Sequence, residues 1–375
     1  MNRFVKMLKV SNLSFKSCLL FIVIGLSIAF PLGLFMLTIG PTRIISDKAH
    51  AENWSGNQEN TIQKIIILAF VFLVLFLTIS LFKYFYKSNH KKLILAFSFI
   101  LLLSATYIFA FEPEFLINNT EIKETFEKSN TVEFYFGSYP DIDKIQQLKS
   151  EKYTAIISLL HPMVIPAEPI LMEKEVINTK KEGLKLISIP MLPWIIGNDS
   201  SLIKIKELAK NAKGKYYVHC YLGKDRVNVF RTILEKENKF IKIKSDFTRR
   251  NIDTVKQFER GRIYKLNNTT YFTPYPTDEE FFSFVLNGKV KTVISLMNIK
   301  NPDEKPFIDK EQNIMNQYNM YFKNIPVHYS EINKIKILID SIRKLPKPIL
   351  IHNFSTESVE AKKFIENFKL KYNNN

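Results

Sequence analysis

The sequence predicts an α/β protein held in a membrane, with three N-terminal transmembrane helices followed by two tandem α/β domains of similar plan. Three observations carry this expectation. Residues 17–42, 65–82 and 93–111 contain no charged side chain and are dense in Leu, Ile, Phe and Val. From about residue 131 onward, short β-branched or aromatic runs alternate with helix-like segments. Finally, landmarks of that alternation recur about 136 residues later.

Composition narrows the class first. The chain has 375 residues, 46% of them apolar and 13% aromatic, which excludes wholesale disorder and leaves room for more than one domain. Its two cysteines, Cys18 and Cys220, exclude a disulfide scaffold and a cysteine-rich zinc module. The formal charge of +17 points to an anionic partner. Residues 1–111 carry +8 of it and the remainder +9, so the charge is spread along the chain and forms no nucleic-acid-binding tail.

Each apolar run is close to or above the length that spans a bilayer. A helix rises about 1.5 Å per residue and the hydrocarbon core is about 30 Å thick, so roughly 20 residues suffice. The predicted spans are about 17–40, 63–83 and 93–111, within an N-terminal region of residues 1–111. Ala49-His50-Ala51 resembles a signal-peptide cleavage site, but it lies well past the first run, which argues against cleavage. Arg3, Lys6, Lys9 and Lys16 precede the first span, and Lys83, Lys87, Lys91 and Lys92 fill the second short loop. The positive-inside rule then places both in the cytoplasm and everything after the third span on the far side. Residues 112–130 read as a tether, at most about 65 Å long when extended.

The soluble region begins with a strand over Thr131–Gly137, then a helix over Asp141–Ser150 with Asp141 as its N-cap. Tyr153–Leu160 reads as a buried strand, Leu171–Glu182 as helix, Leu184–Ile189 as strand and Ser200–Ala212 as helix. Lys215–Cys220 is a strand and Asp225–Glu237 a helix, completing a first domain over 131–250. Tyr135–Pro140 is echoed by Tyr271–Pro276, Ile156–Leu159 by Val293–Leu296, Ile189-Pro190 by Ile325-Pro326, and Val218–Cys220 by Ile351–Asn353. A second domain of the same plan is therefore expected over 262–375. The join falls near Arg249–Leu266, a polar stretch expected to contain one helix.

Chemistry concentrates at residues 215–231. A strand ends in His219-Cys220, five residues intervene, and Arg226 opens a helix. Cys220 is placed to attack phosphorus as a thiolate, a form favoured by the helix N-terminus, the loop amides and Arg226. Tyr221, Leu222, Gly223 and Lys224 would curl into a nest of N–H groups around phosphate oxygens, with Gly223 permitting the turn. Arg226 would bind two oxygens and stabilise the transition state. His219 would order the loop by hydrogen bonding.

These residues resemble the cysteine-dependent protein phosphatase superfamily, particularly its dual-specificity-like and bacterial tyrosine-phosphatase branches. The resemblance spans roughly 131–245 and includes Gly137–Pro140, the Ile-Ser-Leu strand, Ile189-Pro190 and His219-Cys220…Gly223…Arg226. It implies phosphate-monoester hydrolysis through a phosphocysteine, without metal or other cofactor. Lys224-Asp225-Arg226 also looks like the loop of members that act on phosphoinositides, where the Lys offers a second positive charge. The general acid is expected to be Asp225 or Asp199; family members carry an Asp soon after the strand that ends here at Ile189-Pro190, but Met191–Ile196 has no carboxylate. Asp199 also reads as the N-cap of the next helix. Val227 stands where the family usually has Ser or Thr, whose hydroxyl assists release of the thiolate.

The second copy departs at each reactive position. Asn353 replaces the nucleophile, Val359 replaces the Arg, and Glu357 would repel phosphate. An inactive copy suits a structural role or a protein partner. The expected substrate is a phosphorylated protein or an anionic phospholipid; the alternative is a catalytically weak phosphate-binding scaffold.

Overall fold

A computed structural model describes residues 15–52, 54, 56–117, 132–238, 241–246, 251–287, 290–328 and 330–373. The chain divides into one unit of residues up to 46 and 60–116, and a second of 47–59 and 117–375.

The first unit is helical. Helix α1 (Phe15–Gly33) contains Pro31 and passes into a π-helical segment, Leu34–Ile39. Proline removes one rung of the hydrogen-bond ladder, and such wider turns often sit close to the gap. Helix α2 (Pro41–Glu52) follows Gly40 and runs across the boundary between the units. Helix α3 is Gly56–Lys87 and α4 is Lys91–Phe111. α3 overruns its apolar stretch at both ends, because flanking residues such as Gln58, Gln63, Lys83 and Lys87 are themselves compatible with helix. Among the described residues, three helical stretches are long and apolar enough to cross a membrane. Phe30 meets Phe109 edge-on at 5.8 Å, joining α1 to α4.

The second unit is α/β. Its first sheet uses β1 (Glu133–Gly137), β2 (Ala155–Ser158), β3 (Lys185–Ser188), β4 (Lys215–His219) and β5 (Lys242–Ser245). Their order is β3-β2-β4-β1-β5, with every pair parallel. The connecting helices are α5 (Ile142–Ser150), α6 (Ala167–Glu182), α7 (Asp199–Asn211) and α8 (Asp225–Glu237). Parallel strands covered on both faces must be apolar throughout, and β1 and β2 are fully buried. Asp141 caps α5, accepting the Lys144 N–H at 2.8 Å.

The second sheet follows the same path: β8 (Tyr264–Asn267), β9 (Thr270–Pro274), β10 (Thr292–Ser295), β11 (Tyr321–Asn324) and β12 (Ile349–Asn353). It is ordered β11-β10-β12-β9-β8, matching the first except that its last strand is antiparallel and precedes β9. Its helices are α9 (Asp278–Glu280, continuing π-helically through Phe281–Leu286), α10 (Lys305–Gln317), α11 (Ile332–Ile342) and α12 (Val359–Asn373). One apolar cluster joins the two halves: Phe281, Phe284, Met315 and Tyr318 belong to the same core as Phe134, Val229 and Phe230.

Four expectations change. Among the described residues the join holds no α-helix: a 3₁₀ turn (Ile252–Thr254) precedes the hairpin β6 (Gln257–Phe258) and β7 (Gly261–Arg262). Gly261 permits this with φ +151°, a left-handed conformation, and a Cβ there would lie 2.7 Å from Thr356 Oγ1. Helix α6 starts at Ala167, four residues earlier than expected, since Pro at its N-terminal turn costs no hydrogen bond. β2 is shorter than Tyr153–Leu160, because its final residues turn into the loop used by the site. The tether is not free from residue 112: Pro113–Leu116 forms a 3₁₀ turn and Ile117 is packed with Tyr139, Leu160 and Leu171. The rest of the expected tether, and Thr131, lie outside the described residues.

Candidate active site

The parallel register brings four strand ends level. Gly137 and Ser158 both lie beside His219, and Ser158 lies beside Ser188. In sheets of this kind, ligands bind outside the carboxyl ends of the strands. β4 is central and delivers Cys220 to that edge, 3% exposed and unpaired with any other cysteine. The loop to α8 is pressed against the end of β1. Tyr221 accepts the Tyr139 N–H at 3.3 Å, and Gly223 has φ +71° with no room for a side chain. A Cβ there would fall 2.4 Å from the Gly137 carbonyl carbon and 2.5 Å from the Ser138 nitrogen. Only glycine meets both demands, one of conformation and one of space.

Arg226 sits in the first turn of α8 and is buried. Its Nη1 donates to the Leu159 carbonyl (3.1 Å), the Met191 carbonyl (3.0 Å) and Glu168 Oε2 (3.0 Å), while Nη2 donates to Glu168 Oε1 (2.5 Å). The guanidinium therefore ties together the loops after β2 and β3 and the first turn of α6. Glu168, itself buried, also accepts the His161 N–H at 2.7 Å. Burial works against the charge on Arg226, but the neighbouring Cys220 sulfur and Glu168 outweigh it and raise its pKa. These bonds occupy both Nη1 hydrogens and one on Nη2. The two remaining N–H groups lie on the side that hydrogen-bonds the Cys220 sulfur, the geometry that would take an oxyanion bidentately beside it.

His219 does not line the open side of the loop. Its ring is fully buried, with Nε2 2.5 Å from Glu175 Oε1 and Tyr139 edge-on at 5.8 Å. The second half separates scaffold from chemistry here. His352 Nε2 lies 2.9 Å from Glu311 Oε1, and Tyr275 is edge-on to His352 at 5.6 Å. Glu304 takes the place of Glu168, accepting the Asn298 N–H at 2.5 Å; with Val359 in place of the arginine, it accepts the Asn301 amide at 3.1 Å instead. Asn353 donates to Ser358 Oγ at 3.0 Å and its Oδ1 accepts the Phe354 N–H at 2.8 Å, so its loop is closed by its own side chain. The Tyr, His and Glu recur where the Cys and Arg do not, which marks them as supports of the loop.

The remaining candidates are distributed around this edge. Asp225 opens α8 and is half-buried; Asp199 is the exposed first residue of α7. Asp199 is not the N-cap: that position belongs to Asn198, whose side chain accepts the Leu192 N–H (2.7 Å) and donates to the Trp194 carbonyl (2.9 Å). Tyr221 and Leu222 are half-buried, and Lys224 is buried and ion-paired with Asp47 on α2. The charge of Lys224 is thus already matched within the protein.

Sequence reasoning passed over Glu168, Glu175, Asp47 and Tyr318. The 136-residue repeat could have found the first two, because Glu304 and Glu311 stand at the corresponding positions. Nothing in the sequence marked the others. Tyr318, from the second half, donates its hydroxyl to the Ile195 carbonyl at 2.9 Å. Burial, with the Asp199 charge, pushes that phenol up to about 12 despite the opposing Asn198 hydrogen bond, so it remains a donor at neutral pH. Tyr318→Phe leaves a buried carbonyl unpaired and frees the loop after β3. A stability loss of about 1–3 kcal/mol is expected in urea denaturation.

A scan of the chain against protein-family models gives no match, and a search of curated proteins finds none that matches.

Proposed function

We propose that this protein is a membrane-anchored, cysteine-dependent phosphatase that hydrolyses phosphate monoesters through a phosphocysteine intermediate. The observation that carries this reading is the juxtaposition of Cys220 and Arg226 across one tight loop at the end of a central parallel strand. The Cys220 thiolate attacks phosphorus, an S–P bond forms, and the ester P–O bond breaks. The leaving oxygen takes a proton from a carboxylic acid, for which Asp225 and Asp199 are the candidates. Water then attacks phosphorus, giving its proton to the same carboxylate, the S–P bond breaks, and inorganic phosphate leaves with the thiolate and the acid restored. The loop amides and the Cys220-facing side of Arg226 stabilise the charge gathering on the equatorial oxygens.

On this reading the two sheets are tandem phosphatase-like domains, one reactive and one degenerate. The second half then acts as a buttress: its apolar residues join the core behind α8, and Tyr318 holds the loop after β3. The Lys/Arg balance of the flanks favours a non-cytoplasmic position for the site.

Val227 is fully buried and brings no hydroxyl to the loop. Breakdown of the phosphocysteine is therefore expected to be the slow step. Rapid quenching of the purified full chain with a phosphotyrosine peptide and with a lipid phosphomonoester, followed by mass spectrometry, checks this. Phosphate release with a phosphorylated Cys220 peptide supports the proposal. Phosphocysteine that forms but never turns over favours the alternative of a phosphate-binding scaffold, a reading that Val227 and the carboxylate-free segment 191–196 motivate. Neither product from either substrate, with Cys220 reduced, would sink both.

A further inference from the structure

Two loops frame the candidate site, and both expose apolar side chains to solvent. The loop after β2 presents Met163 (69% exposed) and Ile165 (78%); the loop after β3 presents Trp194 (48%) and Ile196 (54%). These are the loops that Arg226 clamps through the Leu159 and Met191 carbonyls. Exposed apolar side chains gathered on the rim of a polar site are unusual for a surface meant to face water. A tryptophan among aliphatic residues is the composition that settles at a bilayer interface.

Chain length identifies the occupant of this rim. Ile117 is packed against Tyr139, with Tyr221 of the Cys220 loop alongside. Only five residues separate it from Phe111, the end of the third apolar helix, a reach of at most about 20 Å. Asp47, ion-paired with Lys224, lies on α2 five residues past Thr42, where the first charge-free run ends, or about 8 Å of helix. Whatever the arrangement of the two units, the chain holds both ends of the phosphate loop within a short distance of the bilayer.

We propose that the Met163, Ile165, Trp194 and Ile196 rim partitions into the surface of the host bilayer and presents the site to a lipid carrying a single phosphate monoester. The inference rests on the phosphatase reading. Both cations of the loop are ion-paired, Lys224 with Asp47 and Arg226 with Glu168, but Arg226 keeps a side directed at Cys220, which fits one phosphate and disfavours a polyphosphorylated headgroup. The lipid alcohol released by P–O cleavage stays in the membrane, while phosphate leaves to water.

The test uses the full-length protein reconstituted in phosphatidylcholine vesicles. Phosphate release is compared for phosphatidic acid in the bilayer, glycerol 3-phosphate in solution, phosphatidylinositol bisphosphate in the bilayer, and a phosphotyrosine peptide. Phosphatidic acid is expected to exceed each of the others in kcat/KM by about tenfold or more, and Met163→Ser with Ile165→Ser to lower the ratio of vesicle to peptide rates by about tenfold. A variant that merely unfolds would lower both rates and leave their ratio alone. Turnover of the peptide, the soluble monoester or the bisphosphate at or above that of phosphatidic acid overturns the lipid proposal and leaves the phosphatase reading standing. An unchanged ratio in a double variant that keeps the parent's peptide rate overturns the role of the rim. No release from any of the four removes the phosphatase reading, and this proposal with it.

Discussion

Cys220→Ser is expected to abolish phosphate release, by about 10⁴-fold or more, while leaving the protein folded and still able to hold its substrate. The size of the effect follows from the role assigned to the sulfur. A serine hydroxyl in the same place is a far weaker nucleophile than a thiolate, and losing the nucleophile removes the covalent route. The fold should tolerate the change. Cys220 is 3% exposed within the main apolar core, and oxygen for sulfur is a small change in volume. Binding should persist, because the amides of the loop and the Arg226 guanidinium, held in place by Glu168, are retained. The measurement is phosphate release alongside equilibrium binding of a radiolabelled monoester. Retained binding with no turnover supports the assignment; residual turnover above about 1% places the nucleophile elsewhere.

The fold was legible wherever a single physical rule dominated. Charge-free runs of bilayer length became helices, and buried parallel strands appeared as continuous apolar stretches at Ala155–Ser158 and Ile349–Asn353. Helix α8 was legible at both ends, because Asp225 suits a first turn and Lys236 a last one. Where the rule was weaker, the reading slipped. β5 went unseen although Ile241-Lys242-Ile243-Lys244 alternates with period two, because charged residues at every second place resemble a solvated loop. The polar join, expected to contain one helix, instead forms a hairpin, with tertiary pairing around Gly261. Helix propensity is a weak prior of this kind.

The candidate site was legible only in its linear part. His219, Cys220, Gly223 and Arg226 are close in sequence, and their spacing already implied strand, loop and helix. Glu168, 58 residues from Arg226, reaches it only because β2 and the first turn of α6 fold over the same sheet edge. Tyr318 is 123 residues from Ile195. Long-range partners of this sort leave no local pattern. An internal repeat offers a substitute for an alignment: a carboxylate recurring at both positions 136 residues apart is a fixed point between two diverged copies.

Arg226→Ala should produce two losses that can be separated. The first is catalytic: removing the guanidinium takes away the charge placed to meet the equatorial oxygens, and turnover should fall by about 10³-fold. The second is structural. Glu168 is 2% exposed, and without Arg226 its carboxylate is left with no counter-charge in the interior, while the Leu159 and Met191 carbonyls each lose a donor. Breaking a buried ion pair by removing one partner costs about 3–5 kcal/mol. Replacing both partners by apolar residues of similar length removes the orphaned charge, so Arg226→Met with Glu168→Met should recover most of that stability, since such replacements are often close to neutral. Activity should not return, because nothing in the double variant binds an oxyanion. Urea denaturation and phosphate release measured on the same preparations distinguish the two roles. If restoring stability also restores turnover, Arg226 is only a staple between loops, and the transition-state charge must be met by another group.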